Sequence, residues 1–72
     1  MSEHTSTVSQ WQVQGMTCGH CVASVTEELS ELPGVESVDV VLETGLVTVT
    51  SATELQRDDV AAAVTEAGYA LA

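Results

Sequence analysis

The segment VESVDVVLETGLVTVT, residues 35–50, contains two runs rich in valine and threonine on either side of Glu43-Thr44-Gly45. Valine and threonine favour strands, and a short glycine-containing segment between two such runs indicates a hairpin. The apolar residues expected on the buried face of this hairpin are Val35, Val38, Val40, Leu42, Val47 and Val49. Val41 and Leu46 are out of phase with that set, so we expect them on the opposite face of the sheet.

An amphipathic helix is predicted on each side of the hairpin. In the first helix, apolar residues recur at steps of three and four from Val22 to Leu32, and Pro33-Gly34 ends the pattern. The second helix runs from Arg57 to Ala67, with valines on one face and Gly68 at the position of a C-terminal cap. Each helix therefore presents one apolar stripe that a sheet can cover.

Two further strands complete the pattern. The first begins at Val8, has Trp11 and Val13 alternating with glutamines, and ends at Gly15; we interpret Trp11 as a structural residue. The last strand is Tyr69-Ala70-Leu71. The order strand, helix, strand, strand, helix, strand predicts an α+β fold of the ferredoxin-like βαββαβ kind, in which a four-stranded antiparallel sheet carries two helices on one face.

Length and composition restrict the possible functions. The chain has 72 residues, and we expect one domain over residues 8–72 after a flexible tail over residues 1–7. Eleven acidic residues against one basic residue, Arg57, give a formal net charge of −10, which disfavours binding to nucleic acid or to an anionic membrane surface. No apolar run approaches the ~20 residues of a membrane span, and the first residues lack the pattern of a signal peptide. We therefore expect a cytoplasmic protein whose partners present neutral or basic surfaces.

Two cysteines lie in the segment GMTCGHC, residues 15–21, between the first strand and the first helix. Cys18 falls in the loop and Cys21 in the first helical turn, where free backbone N–H groups and the helix dipole stabilise a thiolate. Two thiolates satisfy a soft monovalent ion such as Cu(I), whereas zinc normally takes four ligands. The same spacing occurs in redox enzymes and in half of many zinc sites, while a disulfide is disfavoured in the reducing cytoplasm. The spacing alone therefore leaves a metal site and a redox site open.

The wider pattern resembles a known family. GMTCGHC follows a strand and precedes an amphipathic helix, and a Pro-Gly-Val-x-x-Val-x-Val run and a closing Glu-Ala-Gly-Tyr come later in the chain. Together these motifs, over residues 8–71, resemble the heavy-metal-associated domain of copper chaperones and copper-pumping P-type ATPases. The resemblance implies that Cys18 and Cys21 bind Cu(I) and that the ion passes to a partner by thiolate ligand exchange. It implies a carrier without enzymatic activity.

The resemblance also implies roles for residues near the cysteines. The family packs the methionine corresponding to Met16 into the core beneath the site, and Tyr69 stands where bacterial members carry a tyrosine beside the metal. Thr17 favours copper, because relatives that handle zinc, cadmium or lead typically carry an acidic residue there. We expect His20 to face solvent and to bind no metal in the monomer. The alternative is that its imidazole tunes the cysteine pKa values or supplies a ligand when two molecules share copper.

The expected role is a free-standing chaperone that delivers Cu(I) to the metal-binding domain of a copper-transporting P-type ATPase. A copper-responsive repressor is a second candidate recipient, and a copper-bridged homodimer is a candidate assembly. A start at Met1 and an end soon after the last strand favour this role over an isolated N-terminal metal-binding domain of such an ATPase. A thiol-disulfide oxidoreductase is less compatible, because a thioredoxin-like fold needs a longer chain and another order of elements. Buffering of zinc or cadmium would need ligands from a second molecule.

Overall fold

The computed structural model describes residues 6–72 of the chain. Its elements are β1 (Thr7–Gln14), α1 (Gly19–Ser30), β2 (Val35–Val41), β3 (Leu46–Ser51), α2 (Arg57–Glu66) and β4 (Ala70–Leu71). All the predicted elements occur in the predicted order, and β1 begins at Thr7 instead of Val8. Residues 1–5 of the predicted tail, which include His4, lie outside the described residues.

The four strands form one sheet in the order β2-β3-β1-β4, and each neighbouring pair is antiparallel. The central strands β1 and β3 pair from Thr7 opposite Ser51 to Gln12 opposite Leu46. Both helices contribute buried side chains to a core shared with the sheet. The ferredoxin-like α+β fold is thereby confirmed. Across the described part of the chain, no helix combines the length and the apolar character needed to cross a membrane.

The core lies between the helices and the sheet and consists of aliphatic side chains. Its buried members are Val13, Val25, Leu29, Val47, Val49, Val60, Ala63 and Val64. Each fully buried valine or leucine contributes about 1.5–3 kcal/mol by leaving water. The half-buried Trp11 packs against this cluster, in agreement with the structural role predicted for it. Its Nε1–H donates to Ser9 Oγ at 3.0 Å. Small aliphatic residues therefore build the core of a chain that has no phenylalanine.

A β-bulge in β2 explains an irregular spacing in the sequence. Val35 and Val38 are three residues apart, so a regular strand would place them on opposite faces. The register of β2 shifts just after Val35, and both valines pack against the core. Val41 pairs with Leu46 on the other face, as predicted, and Val41 is 39% exposed. The prediction that Leu42 continues the strand is wrong, because β2 ends at Val41 and Leu42 begins the turn.

The turn over residues 42–45 joins β2 to β3 and is also hydrogen-bonded to β1. Gly45 has a φ of 76°, and its N–H donates to the Val41 carbonyl at 2.8 Å. The Gly45 carbonyl accepts the N–H of Val13 at 2.9 Å, and the side-chain amide of Gln12 donates to the Thr44 carbonyl. These bonds hold the end of β1 just before the chain enters the cysteine segment.

Candidate metal site

Both cysteines lie where the chain passes from β1 into α1. Cys18 is the N-cap residue, with extended backbone angles (φ −158°, ψ 176°) and no side-chain cap. The Cys21 N–H donates to the Cys18 carbonyl at 3.0 Å, which closes the first turn of the helix. Cys18 is exposed, Cys21 is buried, and both are free thiols. The extended N-cap and the helical turn together bring the two Sγ atoms to 3.8 Å from each other.

The two sulfur atoms are close enough to bind one ion together. Metal–sulfur bonds of about 2.3 Å allow sulfur atoms on opposite sides of an ion to be up to about 4.6 Å apart. The observed separation of 3.8 Å lies within that limit. Among residues 6–72, no group of three or more histidine, cysteine, aspartate and glutamate side chains could hold a metal ion. The described residues therefore offer two neighbouring sulfur atoms, a donor set that would suit a soft monovalent ion and would leave zinc short of its usual four ligands.

Cys21 is surrounded by hydrogen-bond donors that favour its thiolate. The backbone N–H of Thr17 donates to Cys21 Sγ at 3.3 Å, and Thr17 Oγ1 lies 3.9 Å from the same sulfur. The Thr17 N–H, followed by the Tyr69 side chain and by Cys18, lowers the pKa of Cys21 from 9.0 to about 6, against the opposing effect of burial. The anionic sulfur is thus stabilised at neutral pH mainly by backbone and hydroxyl dipoles.

The C-terminal end of α2 brings Tyr69 to the cysteine segment. Gly68 has a φ of 97°; its N–H donates to the Thr65 carbonyl at 2.9 Å, and the Tyr69 N–H donates to the Val64 carbonyl at 3.0 Å. This pair of bonds is a Schellman cap, so Gly68 has the capping role predicted from the sequence. The half-buried Tyr69 lies beside Gly15, where a Cβ would be 3.4 Å from Tyr69 Cδ1. The neighbouring Cys21 sulfur, followed by burial, raises the pKa of Tyr69.

The structure therefore brings Cys18, Cys21 and Tyr69 together. Met16 is half-buried and packs against the core cluster. His20 is exposed in the first turn of α1, and it is not among the groups that shift the pKa of Cys21. The roles predicted for Met16 and His20 at a metal site remain proposals.

Sequence analysis does not identify the strongest donor to the buried sulfur. The sequence pattern draws attention to the side chain of Thr17, whereas the first cause of the lowered Cys21 pKa is the Thr17 backbone N–H. Every residue except proline carries that group, so no residue type reveals it. Only the path of the chain from Gly15 to Cys21 aims this N–H at the sulfur.

Comparison with known protein families finds one that accounts for this arrangement. The family model of the heavy-metal-associated domain matches residues 11–70. The chain belongs to the heavy-metal-associated domain family. The matched range includes both cysteines and Tyr69, and it confirms the resemblance inferred from GMTCGHC.

Members of the heavy-metal-associated family are similar to this chain in sequence and in structure. The copper chaperone CopZ of Bacillus subtilis (strain 168) is 44% identical over 62 residues, which cover 85% of this chain and 90% of that protein. A solved structure of a CopZ metallochaperone has a TM-score of 0.84 at 33% identity, covering 92% of this chain and 100% of the other. A copper binding domain from HMA7, a P-type ATPase, has a TM-score of 0.80 at 27% identity, covering 90% and 89%. Family membership and the similarity to a copper chaperone indicate a metal-binding carrier rather than an enzyme.

Proposed function

We propose that this protein is a copper chaperone, which binds one Cu(I) ion between Cys18 and Cys21. It transfers the ion by thiolate ligand exchange to the metal-binding domain of a copper-transporting P-type ATPase. The observation that carries the proposal is the pair of free sulfur atoms 3.8 Å apart, one exposed and one buried. Two soft ligands satisfy Cu(I) and leave room for an incoming third.

Copper is favoured over other soft metals by the relatives and by the residues near the sulfur atoms. The Bacillus subtilis relative, 44% identical over 85% of this chain, is named a copper chaperone. The HMA7 domain, named as copper binding, belongs to a P-type ATPase, so a domain of the same fold can occur in the recipient. Residues 14–26 contain no aspartate or glutamate, and no hard carboxylate ligand therefore adjoins the cysteines in sequence.

The unequal exposure of the two cysteines gives the transfer an order. A thiolate of the recipient reaches the ion from the side of Cys18, which is exposed. Cys21 stays bound longer, because it is buried and its sulfur accepts the Thr17 N–H at 3.3 Å. The ion then passes through three-coordinate states and is never free. Two thiolates and one Cu(I) leave a net negative charge, which the N-terminal end of α1 stabilises through its dipole.

Charge also restricts the recipient. A chain with a net charge of −10 requires a recipient whose docking surface is neutral or basic. The uncharged segment over residues 14–26 permits close approach at the metal site itself. In this proposal the protein acts in the cytoplasm. Met16 supports the cysteine loop from the core, and Tyr69 shields the bound ion. His20 is an auxiliary group at the surface.

An anaerobic titration with Cu(I) against a coloured chelator tests the site. We expect the reduced protein to retain one equivalent of copper in the presence of Zn(II), and Cys18→Ser and Cys21→Ser to lose it. Ala23→Ser changes an exposed position of the same helix and is the matched control, which should bind copper as the wild type does. Weak copper binding by the reduced wild type, or copper retained by both cysteine variants, would refute the two-sulfur site.

Transfer requires a separate experiment. Copper-loaded protein is mixed with a metal-free P-type ATPase metal-binding domain, and the two are separated by anion exchange, to which the charge of −10 is well suited. We expect copper to reach the recipient at the same rate with and without a weak chelator in solution, because the ion is handed over inside a complex. If the chelator intercepts the copper, the protein is a buffer and the chaperone proposal is wrong.

A further inference from the structure

The sheet has an open edge along residues 7–11 of β1. On one side these residues pair with β3, and on the other side β4 reaches β1 only at Val13 and Gln14. No other strand among residues 6–72 lies on that second side. We call residues 7–11, on the side away from β3, the open edge.

The open edge presents backbone groups that can pair with another strand. The Gln12 carbonyl accepts the Ala72 N–H at 2.8 Å on the side of β4. Backbone polar groups of alternate residues in an antiparallel strand point to the same side, so the N–H and C=O groups of Gln10 and Val8 point to that side as well. Exposed strand groups of this kind are a template for the addition of a strand.

The opposite edge of the sheet, β2, is protected against strand addition, whereas the open edge is not. β2 has a bulge just after Val35 and carries the exposed residues Glu36 and Asp39. Bulges and charged side chains are features that prevent strand pairing at an edge. Residues 7–11 pair with β3 in continuous register and contain no charged residue and no proline, and Val8 is 61% exposed. The open edge is therefore suited to an added strand.

We propose that the open edge binds an extended, positively charged segment of a partner protein, which adds to the sheet as a fifth strand antiparallel to β1. Charge favours this occupant over a second copy of the chain, because two molecules of net charge −10 repel each other, whereas a cationic segment is attracted. Residues 7–11 span only about 17 Å of strand, which is short for a stable dimer interface.

Trp11 favours a cationic side chain on the helix-facing side of the added strand. The Trp11 side chain packs against the core from this side, and its Nε1–H donates to Ser9 Oγ at 3.0 Å. The indole therefore extends along β1 toward Ser9, beside the open edge. Indole faces attract the side chains of lysine and arginine.

Carboxylates lie where the open edge meets β4. Arg57 Nη2 donates to Ala72 O at 3.1 Å, so the first turn of α2 lies beside the end of β4. That turn carries the exposed residues Asp58 and Asp59, which outnumber its one guanidinium group. On the other face of the sheet, Val8 offers an apolar contact. The added strand should therefore alternate basic and apolar residues, with the basic residues on the helix-facing side.

The experiment titrates metal-free protein with the peptide acetyl-Lys-Val-Lys-Val-Lys-amide and follows the fluorescence of Trp11, the one tryptophan of the chain. We expect a saturable change that weakens as salt is added. Docked with its ends opposite residues 7 and 11, the peptide directs the N–H groups of its valines toward β1 and those of its lysines away. N-methylation of both valines should weaken binding at least about tenfold relative to N-methylation of two lysines, which has the same charge and methyl count. A peptide with glutamate in place of lysine should not bind.

Two lysine variants test the same edge from the side of the protein. Gln10 and Gln14 are exposed on the same face of β1, but Gln10 lies at the open edge and Gln14 pairs with Ala70 of β4. Gln10→Lys should weaken peptide binding severalfold more than Gln14→Lys, although both variants change the net charge equally.

Equal binding of the two N-methylated peptides would reduce the contact to charge alone and overturn the assignment, as would the absence of any binding. Sedimentation of the protein without peptide supplies a further check. A dimer that is stabilised by salt and dissociated by the peptide would show that the open edge belongs to a second copy of the chain. The cysteine segment follows the other end of β1, and the titration uses no metal, so this inference does not depend on the copper proposal.

Discussion

Replacement of Gly45 by alanine tests whether the turn over residues 42–45 holds β1 rigidly in place. Gly45 has a φ of 76°, in the left-handed region, where an alanine costs about 1–2 kcal/mol. The added Cβ would also lie 2.5 Å from the Val13 carbonyl oxygen and 2.8 Å from Gln12 Nε2. The first of these contacts is with backbone and cannot be relieved by rotating a side chain. The turn and β1 must therefore separate.

The expected loss follows from these contacts. Separation breaks the bond of 2.9 Å from the Val13 N–H to the Gly45 carbonyl, which removes about 1 kcal/mol. Together with the backbone strain, the free energy of unfolding should fall by about 2–3 kcal/mol. A domain of 72 residues is expected to have a total of about 4–11 kcal/mol, so the loss is a large fraction of it.

Urea denaturation followed by the fluorescence of Trp11, the one tryptophan in the chain, measures the effect. With a denaturant slope of about 1 kcal/mol per M, the midpoint should fall by about 2–3 M. Gly68→Ala is the matched control, because residue 68 also has a positive φ, 97°, but a Cβ there meets nothing within 4 Å. Gly68→Ala should therefore lose only the strain of about 1–2 kcal/mol. Equal losses for the two variants would show that the turn yields freely to the added Cβ and that the turn does not hold β1 rigidly.

Four further predictions concern charge and ionisation. Tyr69→Phe should raise the pKa of Cys21, measured by thiolate absorbance, but the value should stay below 9.0 because the Thr17 N–H still donates to the sulfur. An unchanged pKa would show that Tyr69 does not stabilise the Cys21 thiolate. The same titration of His20→Ala tests the auxiliary role of His20. A raised cysteine pKa in the variant would support that role, whereas titration curves that overlap those of the wild type would contradict it. The pKa of Cys21 is about 6 in the folded protein, against an ordinary value of 9.0. Between these two pH values the unfolded state binds more protons than the folded state, so the free energy of unfolding should rise with pH across this window. Cys21→Ala should abolish that rise. Burial and the nearby carboxylates raise the pKa of Glu28, so Glu28→Gln should increase the urea midpoint at neutral pH. This gain in the midpoint should vanish in acid, where Glu28 is protonated. Glu54→Gln changes an exposed glutamate and is the control.

The order of the elements could be predicted because each depends on local chemistry. Alternation through Trp11 and Val13 indicates a strand whatever packs on it, and Pro33-Gly34 ends a helical pattern by backbone geometry alone. The bulge in β2 was not predictable in this way. The spacing from Val35 to Val38 conflicts with a regular strand, and only the pairing with β3 shows that one extra residue brings both valines to the core.

The same division holds at the site. Residue spacing is enough to bring the two sulfur atoms together, because Cys18 and Cys21 are three residues apart across an N-cap and one helical turn, and local geometry holds them at 3.8 Å. The exposure of one sulfur, the burial of the other and the position of Tyr69 beside them follow from the packing of the folded chain. Burial and a contact between distant parts of the chain depend on how α2 and β4 pack against the sheet, and residue spacing within one segment carries no information about that packing.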